Sequence, residues 1–377
     1  MKLNEMEARL PAWYFSSVEP GGPSYQVESA PGRGKTSVFR QFKKRMKQVD
    51  PSRRYGFAYI NGASFTISTA MGYLFKDNLP DGRIVSQFTL PYWYFDEETR
   101  EPLDNFAGGV ILLDEADKLQ MDEKKIVGEA AFDKRLANHK FPPGWVMWFA
   151  ANRLTDRSGS TRDLDHLINR RITVPIRDDV ECTVDWMRRH KILPEVIHFA
   201  EDNPQLLFEP KPEDQRPYCT PRSLHQSNIH IQSLMDTLGR DTIPVEDMLL
   251  EEEIAGSIGR PATAQLFTSI KLGQELASYE EVVAEPSKAK LPAQPSAKRL
   301  MAYKLADKLS DMDKDRNKDA DRVLQYVSRM EIEFQTIFVR LASVRKYSLV
   351  FEKPFADFCA KNAGLIALLN RFKQEKE

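Results

Sequence analysis

The sequence predicts an α/β fold built on a parallel β-sheet, followed by a mostly helical second half. Five short apolar segments lie in the first 178 residues: 25–27, 57–60, 110–113, 146–150 and 172–174. Their apolar residues run continuously rather than alternating, which is typical of strands buried on both faces of a parallel sheet. The connections are long enough for helices that cover both faces. After residue 178 the strand pattern fades and helical patterns replace it.

The composition is that of a soluble globular protein. The chain has 377 residues, of which 41% are apolar and 29% charged, so we expect two or three domains. There are 54 basic and 55 acidic side chains, which leaves a net charge of −1. This balance argues against a generally basic surface that coats nucleic acid.

The sequence favours a cytoplasmic protein with no membrane span. No apolar run approaches the ~20 residues that a bilayer requires, and the first fifteen residues lack the apolar core of a signal peptide. The three cysteines, Cys182, Cys219 and Cys359, are widely spaced. They form neither a disulfide framework nor a metal-binding pattern.

We predict three regions: an α/β domain at 1–178, a smaller helical domain at 179–277, and a linker with a helical extension at 278–377. Prolines within 282–298 indicate a linker or an extended wrap. Apolar residues then repeat at spacings of three and four: Ala320, Val323, Val327, Met330, Phe334, Ile337 and Leu341. The repeat predicts one helix that packs on its own domain, with an intermolecular coiled coil as the alternative.

The most specific pattern is a glycine-rich loop between the first strand and a predicted helix over 37–47. Gly32 and Gly34 allow backbone conformations that point successive N–H groups at a phosphate, and the positive end of the helix faces the same anion. Lys35 can reach the β- and γ-phosphates, and the Thr36 hydroxyl can bind Mg²⁺. Ser29 occupies the position at which the usual pattern has its first glycine. The predicted nucleotide-binding residues are Ser29, Ala30, Pro31, Gly32, Arg33, Gly34, Lys35, Thr36 and Ser37.

Two carboxylates follow the third predicted strand, and they complete this site. The apolar run 108–113 ends in Asp114 and Glu115. The carboxyl ends of strands in an open α/β sheet face the ligand crevice. We expect Asp114 to hold Mg²⁺ through water, together with Thr36, and Glu115 to orient and polarise the attacking water.

These motifs resemble those of the AAA+ ATPases, a group of P-loop NTPases. Four segments carry the resemblance over roughly residues 20–275: 30–36 (Walker A), 112–118 (Walker B), 148–152 (sensor 1) and 220–222 (sensor 2). The resemblance implies ATP and Mg²⁺ as cofactors. It also implies that Asn152 holds the attacking water and that Arg222, on a helical lid, contacts the γ-phosphate.

A further segment, 167–171, resembles the region in which AAA+ proteins carry an arginine finger. The resemblance implies that Arg170 acts on the nucleotide of a neighbouring subunit, with Arg171, Arg157 and Arg162 as alternatives. Such an arginine is worth about 10³–10⁵ in rate. Hydrolysis would then require a homo-oligomeric ring, usually a hexamer.

Within the superfamily the chain resembles the MoxR-like clade. Residues 91–102 have the pattern of two short arms around a polar turn, which suits the hairpin inserted in the second helix of that clade. The resemblance implies a chaperone-like ATPase that remodels a protein partner, often one with a von Willebrand factor A domain. The aromatic residues 92–95 could grip a polypeptide, and packing on their own domain is the alternative.

Two other functions stay open at this point. The basic stretches 40–47 and 298–299 allow a nucleic-acid-associated ATPase, such as a helicase loader or a replication or packaging accessory, although a solvated helix face explains the first stretch better. A binding module with a purely structural ATP site is the third hypothesis.

Overall fold

The computed structural model describes residues 1–156, 168–169, 171–190, 192–311, 316–344 and 353–360. The chain divides into two compact units, Met1–Asp179 and Val180–Glu377. The first unit contains the described strands, and the described elements of the second are helices.

The first unit is built on a five-stranded parallel sheet. Its strands in chain order are β1 (Ser24–Glu28), β2 (Tyr55–Asn61), β3 (Leu74–Asn78), β4 (Ile84–Phe88), β5 (Gly108–Asp114), β6 (Arg135–Leu136), β7 (His139–Lys140), β8 (Trp145–Ala151) and β9 (Arg171–Pro175). The parallel sheet has the order β2-β5-β8-β1-β9, and β3–β4 and β6–β7 form separate two-stranded pairs. The parallel sheet contains the five predicted strands, so this prediction of the fold is confirmed.

Helices cover both faces of this sheet. They are α1 (Leu3–Val18), α2 (Lys35–Phe39), α3 (Phe42–Val49), α4 (Ile67–Met71) and α5 (Met121–Asp133). Along β5, Val110 and Leu112 belong to a core shared with α1, α2 and α3, whereas Ile111 and Leu113 belong to a core shared with α5. Burial on both sides explains why the strand sequences are continuously apolar.

The helix predicted over 37–47 is divided into α2 and α3, with the break at Arg40 and Gln41. The Gln41 N–H donates to the carbonyl of Val38 at 2.9 Å, so the chain tightens for one turn before α3 begins. The Arg40 side chain makes two hydrogen bonds to Glu97, at 2.6 and 3.1 Å.

Residues 91–102 do not form the predicted hairpin. They make a turn closed by one antiparallel bridge between Phe95 and Pro102. Trp93 is fully buried, and the Asp96 carboxylate accepts a hydrogen bond from the N–H of Phe57 in β2 at 2.8 Å. The segment therefore covers the open edge of the sheet. This matches the alternative in which residues 92–95 pack on their own domain. The hairpin of this region is β3–β4 instead.

The second unit is helical throughout its described residues. Its helices are α6 (Val180–Arg189), α7 (Pro194–Asp202), α8 (Pro204–Leu207), α9 (Pro221–Leu238), α10 (Met248–Ile258), α11 (Arg260–Gln274), α12 (Tyr279–Ala284), α13 (Pro295–Asp311), α14 (Arg316–Val327), α15 (Ile332–Val344) and α16 (Lys353–Ala360). One apolar cluster includes buried residues from Val184 to Cys359. In the described part of the chain, no helix combines the length and apolar character needed to span a membrane.

The seven apolar residues of the repeat lie on two helices, α14 and α15, and on the turn between them, which holds Met330, rather than on the single helix predicted. The Gln335 amide donates to the carbonyls of Ser328 and Met330 at 3.3 and 2.8 Å, which satisfies acceptors that the break releases. The repeat residues are buried, except for the partly buried Ile337, and all pack into the core of their own unit. This is the packing alternative to a coiled coil.

The proline-containing segment before α13 is neither a free linker nor fully extended, because it makes a turn at 286–289 and bonds to Tyr326 of α14 and to Arg329. The Tyr326 hydroxyl donates to the carbonyl of Lys290 at 2.8 Å, and Arg329 donates to those of Pro286 and Ala289. These bonds tie the segment to the helix.

We predict that Trp148→Ala lowers the free energy of unfolding of the first unit by about 3–5 kcal/mol, because it leaves a cavity in a packed core. Trp148 is fully buried, and its indole N–H donates to Ser17 Oγ at 3.1 Å. Urea titration followed by tryptophan fluorescence measures the change. Phe15→Ala is the control, since Phe15 is 42% exposed. Equal losses in the two variants would contradict this view of the core.

Candidate functional site

The strand order brings three chain segments to one edge of the sheet. The glycine-rich loop follows β1, Asn152 follows β8, and Asp114 ends β5. Because β8 lies between β5 and β1, Asn152 stands between the loop and the carboxylate. The carboxyl ends of parallel strands form the usual ligand crevice of such folds.

Two glycines of the loop lie at positions where the backbone is left-handed. Gly32 and Gly34 have φ values of 73° and 92°, in the left-handed region that favours glycine. Ser29 is not among the residues with positive φ, so a side chain is tolerated there. Its hydroxyl donates to the carbonyl of Ala30 at 3.0 Å. The missing first glycine therefore does not disturb the loop.

Lys35 begins α2 and lies at the centre of the site, where it is only 8% exposed. Its ammonium donates to the Ser29 carbonyl at 2.9 Å, to Ser29 Oγ at 3.1 Å and to Asn152 Oδ1 at 3.1 Å. A buried ammonium requires such oxygen partners. Phosphate oxygens are acceptors of the same kind, with more negative charge.

Thr36 and Asp114 lie together beside this lysine. The Thr36 hydroxyl donates to Asp114 Oδ2 at 2.5 Å, and the Tyr59 hydroxyl lies 3.4 Å from the same oxygen. Burial, together with the charge of Asp114, raises the pKa of Tyr59 to about 12, so this hydroxyl stays protonated near neutral pH. Hydroxyl and carboxylate oxygens suit Mg²⁺, which commonly takes a few protein ligands and completes its shell with water and phosphate.

Among the described residues, no group of three histidine, cysteine, aspartate or glutamate side chains could hold a metal alone. The Thr36 hydroxyl and the Asp114 carboxylate each offer an oxygen of the kind that binds Mg²⁺.

Glu115 directly follows this carboxylate and is half-buried. Its backbone is left-handed, with φ 52° and ψ 37°, an uncommon and strained conformation for a residue with a side chain. The turn packs against Gly62, where a Cβ atom would lie 2.5 Å from the Glu115 carbonyl oxygen. The sharp turn ends β5 and separates the paths of the two acidic side chains.

Asn152 contacts a residue that the sequence analysis did not assign to the site. Its backbone N–H donates to Asp117 Oδ1 at 2.9 Å, and its side-chain amide lies 3.4 Å from both Asp117 oxygens. Asp117 belongs to the acidic motif, but 35 positions separate it from Asn152. Only the pairing of β5 with β8 brings them together.

Arg33 directs its side chain into the protein. It is 6% exposed, and its guanidinium nitrogen lies 2.9 Å from Asp178 Oδ1. The backbone of this residue belongs to the phosphate loop, while its side chain ties the loop to the segment after β9.

Two of the predicted catalytic arginines, Arg171 and Arg222, lie within the described residues. Arg171 begins β9 in register with Ser24 at the start of β1, so it lies at the sheet edge opposite the phosphate loop. It is 9% exposed, and its guanidinium carbon is 5.4 Å from the ring centroid of Phe149. Arg222 is in the first turn of α9, in the second unit. Arg157, Arg162 and Arg170 lie outside the described residues. The roles of these arginines stay predictions.

Acidic partners neutralise most of the basic helix that raised the nucleic-acid hypothesis. Arg40 pairs with Glu97, Lys43 with Asp96 and Glu98, and Arg45 with Glu7. The second basic stretch is paired too, through Lys298 with Glu331 and Arg299 with Asp202.

No protein-family model and no curated protein matches the chain. Solved structures, among them the three that are named here, are similar to the chain at low sequence identity and low TM-score. NtrX from Brucella abortus is 14% identical with a TM-score of 0.37, over 89% of this chain and 67% of that one. The RuvB Holliday junction branch migration motor of Thermotoga maritima is 11% identical with a TM-score of 0.36, over 71% and 68%. Domain III of the Thermotoga maritima replication initiation protein DnaA is 15% identical with a TM-score of 0.38, over 65% and 90%.

The first unit is an α/β fold with a parallel sheet in the order β2-β5-β8-β1-β9 and a glycine-rich loop that leads from β1 into α2. A helical C-terminal part follows it.

We predict that Arg33→Ala lowers the free energy of unfolding of the first unit by about 1–3 kcal/mol, because it removes a largely buried charged contact. Arg83→Ala is the matched control. Arg83 pairs with Asp81 through side chains that are 77% and 50% exposed, so its loss should cost less than about 1 kcal/mol. Denaturant titration measures both. An Arg33→Ala protein of unchanged stability that binds ATP poorly would instead assign the side chain to the nucleotide.

Proposed function

We propose that the protein is a Mg²⁺-dependent ATPase that hydrolyses ATP to ADP and phosphate. One observation carries the proposal. Lys35 donates to Asn152 at 3.1 Å while the adjacent Thr36 donates to Asp114 at 2.5 Å. The groups suited to phosphate, water and metal thus meet at three neighbouring strand ends.

Each residue has a distinct task in this reaction. The loop N–H groups and Lys35 bind the β- and γ-phosphates, and Thr36 and Asp114 hold Mg²⁺. When bound, the ion neutralises charge that develops on the phosphates. Glu115 accepts a proton from the attacking water, and Asn152 orients that water.

We also infer that the active form is a homo-oligomeric ring of the MoxR-like type, usually a hexamer, with Arg170 acting on the nucleotide of the neighbouring subunit and Arg222 reporting the γ-phosphate. Arg171 is buried at the end of the sheet away from the phosphate loop, so we assign the action between subunits to Arg170 instead. The work of the ring is remodelling of a protein partner, for which a von Willebrand factor A domain protein is the first candidate.

The β3–β4 hairpin is the element best suited to contact such a partner. Tyr73, Leu74 and Ile84 are 79%, 61% and 60% exposed, and exposed apolar groups of this density mark interaction sites. The hairpin is a two-stranded sheet, so it can pair with an extended polypeptide. The paired basic residues of α3 favour a protein client over nucleic acid.

We predict that Glu115→Gln binds ATP normally but hydrolyses it on the order of 10²–10⁴-fold more slowly, because the general base is lost. Lys35→Ala should weaken ATP binding by about tenfold or more, because a charge-assisted contact disappears. Calorimetry with Mg²⁺ and phosphate release measure the two effects.

Lys76→Ala is the control, since Lys76 is exposed on the β3–β4 hairpin. Normal hydrolysis by Glu115→Gln would refute the assigned base and favour a structural ATP site. Stimulation of hydrolysis by DNA that falls steeply with salt would favour the nucleic-acid alternative.

We predict that Leu74→Asp combined with Ile84→Asp weakens binding of an unfolded polypeptide by about tenfold or more, because two apolar contacts are lost. Fluorescence anisotropy with labelled casein measures the affinity, and basal ATP hydrolysis should not change. Lys76→Asp combined with Gln87→Asp adds charge to the same hairpin without removing apolar surface. An equal effect of both pairs, or of neither, would refute this docking site.

A further inference from the structure

Asp117 is a buried carboxylate at the centre of the candidate site. It lies in the short turn 116–118 that follows Glu115, and its side chain is 4% exposed. A buried carboxylate is costly unless donors surround it. The donors therefore show what this residue is placed to hold.

Asn152 supplies several of these donors. Its backbone N–H reaches Asp117 Oδ1 at 2.9 Å, and its side-chain Nδ2 lies 3.4 Å from each oxygen. The Lys118 ammonium lies 3.3 Å from Asp117 Oδ2. Asp117 thus contacts both the backbone and the amide nitrogen of Asn152.

This contact determines which end of the Asn152 amide faces the phosphate loop. A carboxylate accepts hydrogen bonds and cannot donate them, so it attracts Nδ2 and repels Oδ1. The oxygen consequently points the other way, where it accepts a hydrogen bond from Lys35 at 3.1 Å. A flipped amide would set two oxygens against each other and turn its NH₂ group toward an ammonium.

We propose that Asp117 is a positioning residue that orients Asn152 so that the amide presents its oxygen, and not its nitrogen, to Lys35 and to the attacking water. The inference rests on the proposed ATPase function. An oxygen at this point accepts a hydrogen bond from the water and helps direct the water's lone pair at the γ-phosphate, while Glu115 takes the proton that the water loses.

The carboxylate also explains why the turn after β5 must be tight. Glu115 takes its left-handed conformation, and the turn at 116–118 then brings Asp117 under the end of β8. The pairing of Leu113 with Phe149 holds the two strand ends side by side. A residue that only filled space here would not need a charge.

The test is a double-mutant cycle of Asp117→Asn and Asn152→Ala in the full chain, with kcat, KM and the ATP dissociation constant measured for each protein. Asparagine keeps the size of the side chain but adds a donor, so the Asn152 amide loses its orientation. We expect Asp117→Asn to lower kcat on the order of 10- to 100-fold, the usual effect of removing a group that orients a site residue. The ATP dissociation constant should change by less than about threefold.

The decisive comparison is between the effect of Asp117→Asn on kcat in the wild type and its effect in the Asn152→Ala variant. If Asp117 acts through Asn152, then adding Asp117→Asn to Asn152→Ala has no further effect on kcat, because coupled residues are not additive. Asp122→Asn is the matched control, since the Asp122 side chain is 74% exposed and pairs with Lys125. Its kcat should equal that of the wild type.

Independent, multiplying effects of the two substitutions on kcat would overturn the inference, as would an unchanged kcat in Asp117→Asn. Thermal melting shows whether each variant folds. Should Asp117→Asn fail to fold, Asp117→Glu serves in its place, because the longer side chain displaces the amide while the charge remains. A wild-type chain that neither binds nor hydrolyses ATP overturns the proposed function and this inference together, whereas additivity in an active enzyme overturns this inference alone.

Discussion

The need to satisfy one buried ammonium organises the first unit. Lys35 is fixed at the first residue of α2, and its charge ends among the strand tips, where water is largely excluded. Oxygen atoms from the loop and from Asn152 accept hydrogen bonds from this ammonium and so make its burial tolerable. The loop conformation, the placement of β8 and the orientation of the Asn152 amide all serve this requirement. A triphosphate would satisfy the same charge more fully.

The strand order turns this requirement into a connected site. In the strand order β5-β8-β1, the middle strand β8 ends between Asp114, at the end of β5, and the loop with Lys35 that follows β1. Asn152 therefore contacts Asp117 on one side and Lys35 on the other. The bulky core beneath β8, which includes Trp148, holds the strand in place. Packing and chemistry thus depend on the same strand.

The sequence predicts the strands and the phosphate loop well because their signals are local. Continuous apolar runs report burial on both faces, and glycines report backbone conformation directly. The contact between Asp117 and Asn152 carries no such signal, because strand pairing alone creates it. Arg171 is buried at the far edge of the sheet, which its place in the motif does not reveal.

The predictions of a hairpin at 91–102 and of a single helix for the apolar repeat were wrong. An apolar pattern shows that residues are buried, but it does not show which element they pack against. The segment with the aromatic residues, which include Trp93, packs at the edge of β2 and accepts a hydrogen bond from Phe57 through Asp96. The exposed hairpin is formed by residues 74–88 instead, whose sequence pattern is less distinctive. In the second unit the repeat continues through the turn at 328–331 because both α14 and α15 bury the same side of the chain. A periodic pattern records burial, and a turn that keeps the same side buried leaves the pattern intact.

The loop divides its work between backbone and side chains, which explains the departure at Ser29. The positive φ angles of Gly32 and Gly34 shape the loop backbone, while side chains make the contacts that hold the loop in place. Arg33 ties the loop to Asp178, and the Ser29 side chain bonds within the loop, to Lys35 and Ala30. A side chain is thus acceptable wherever φ is negative, whereas at Gly34, with φ 92°, it would strain the backbone that the anion needs. Ser29 has no positive φ, so the backbone at this position does not require glycine.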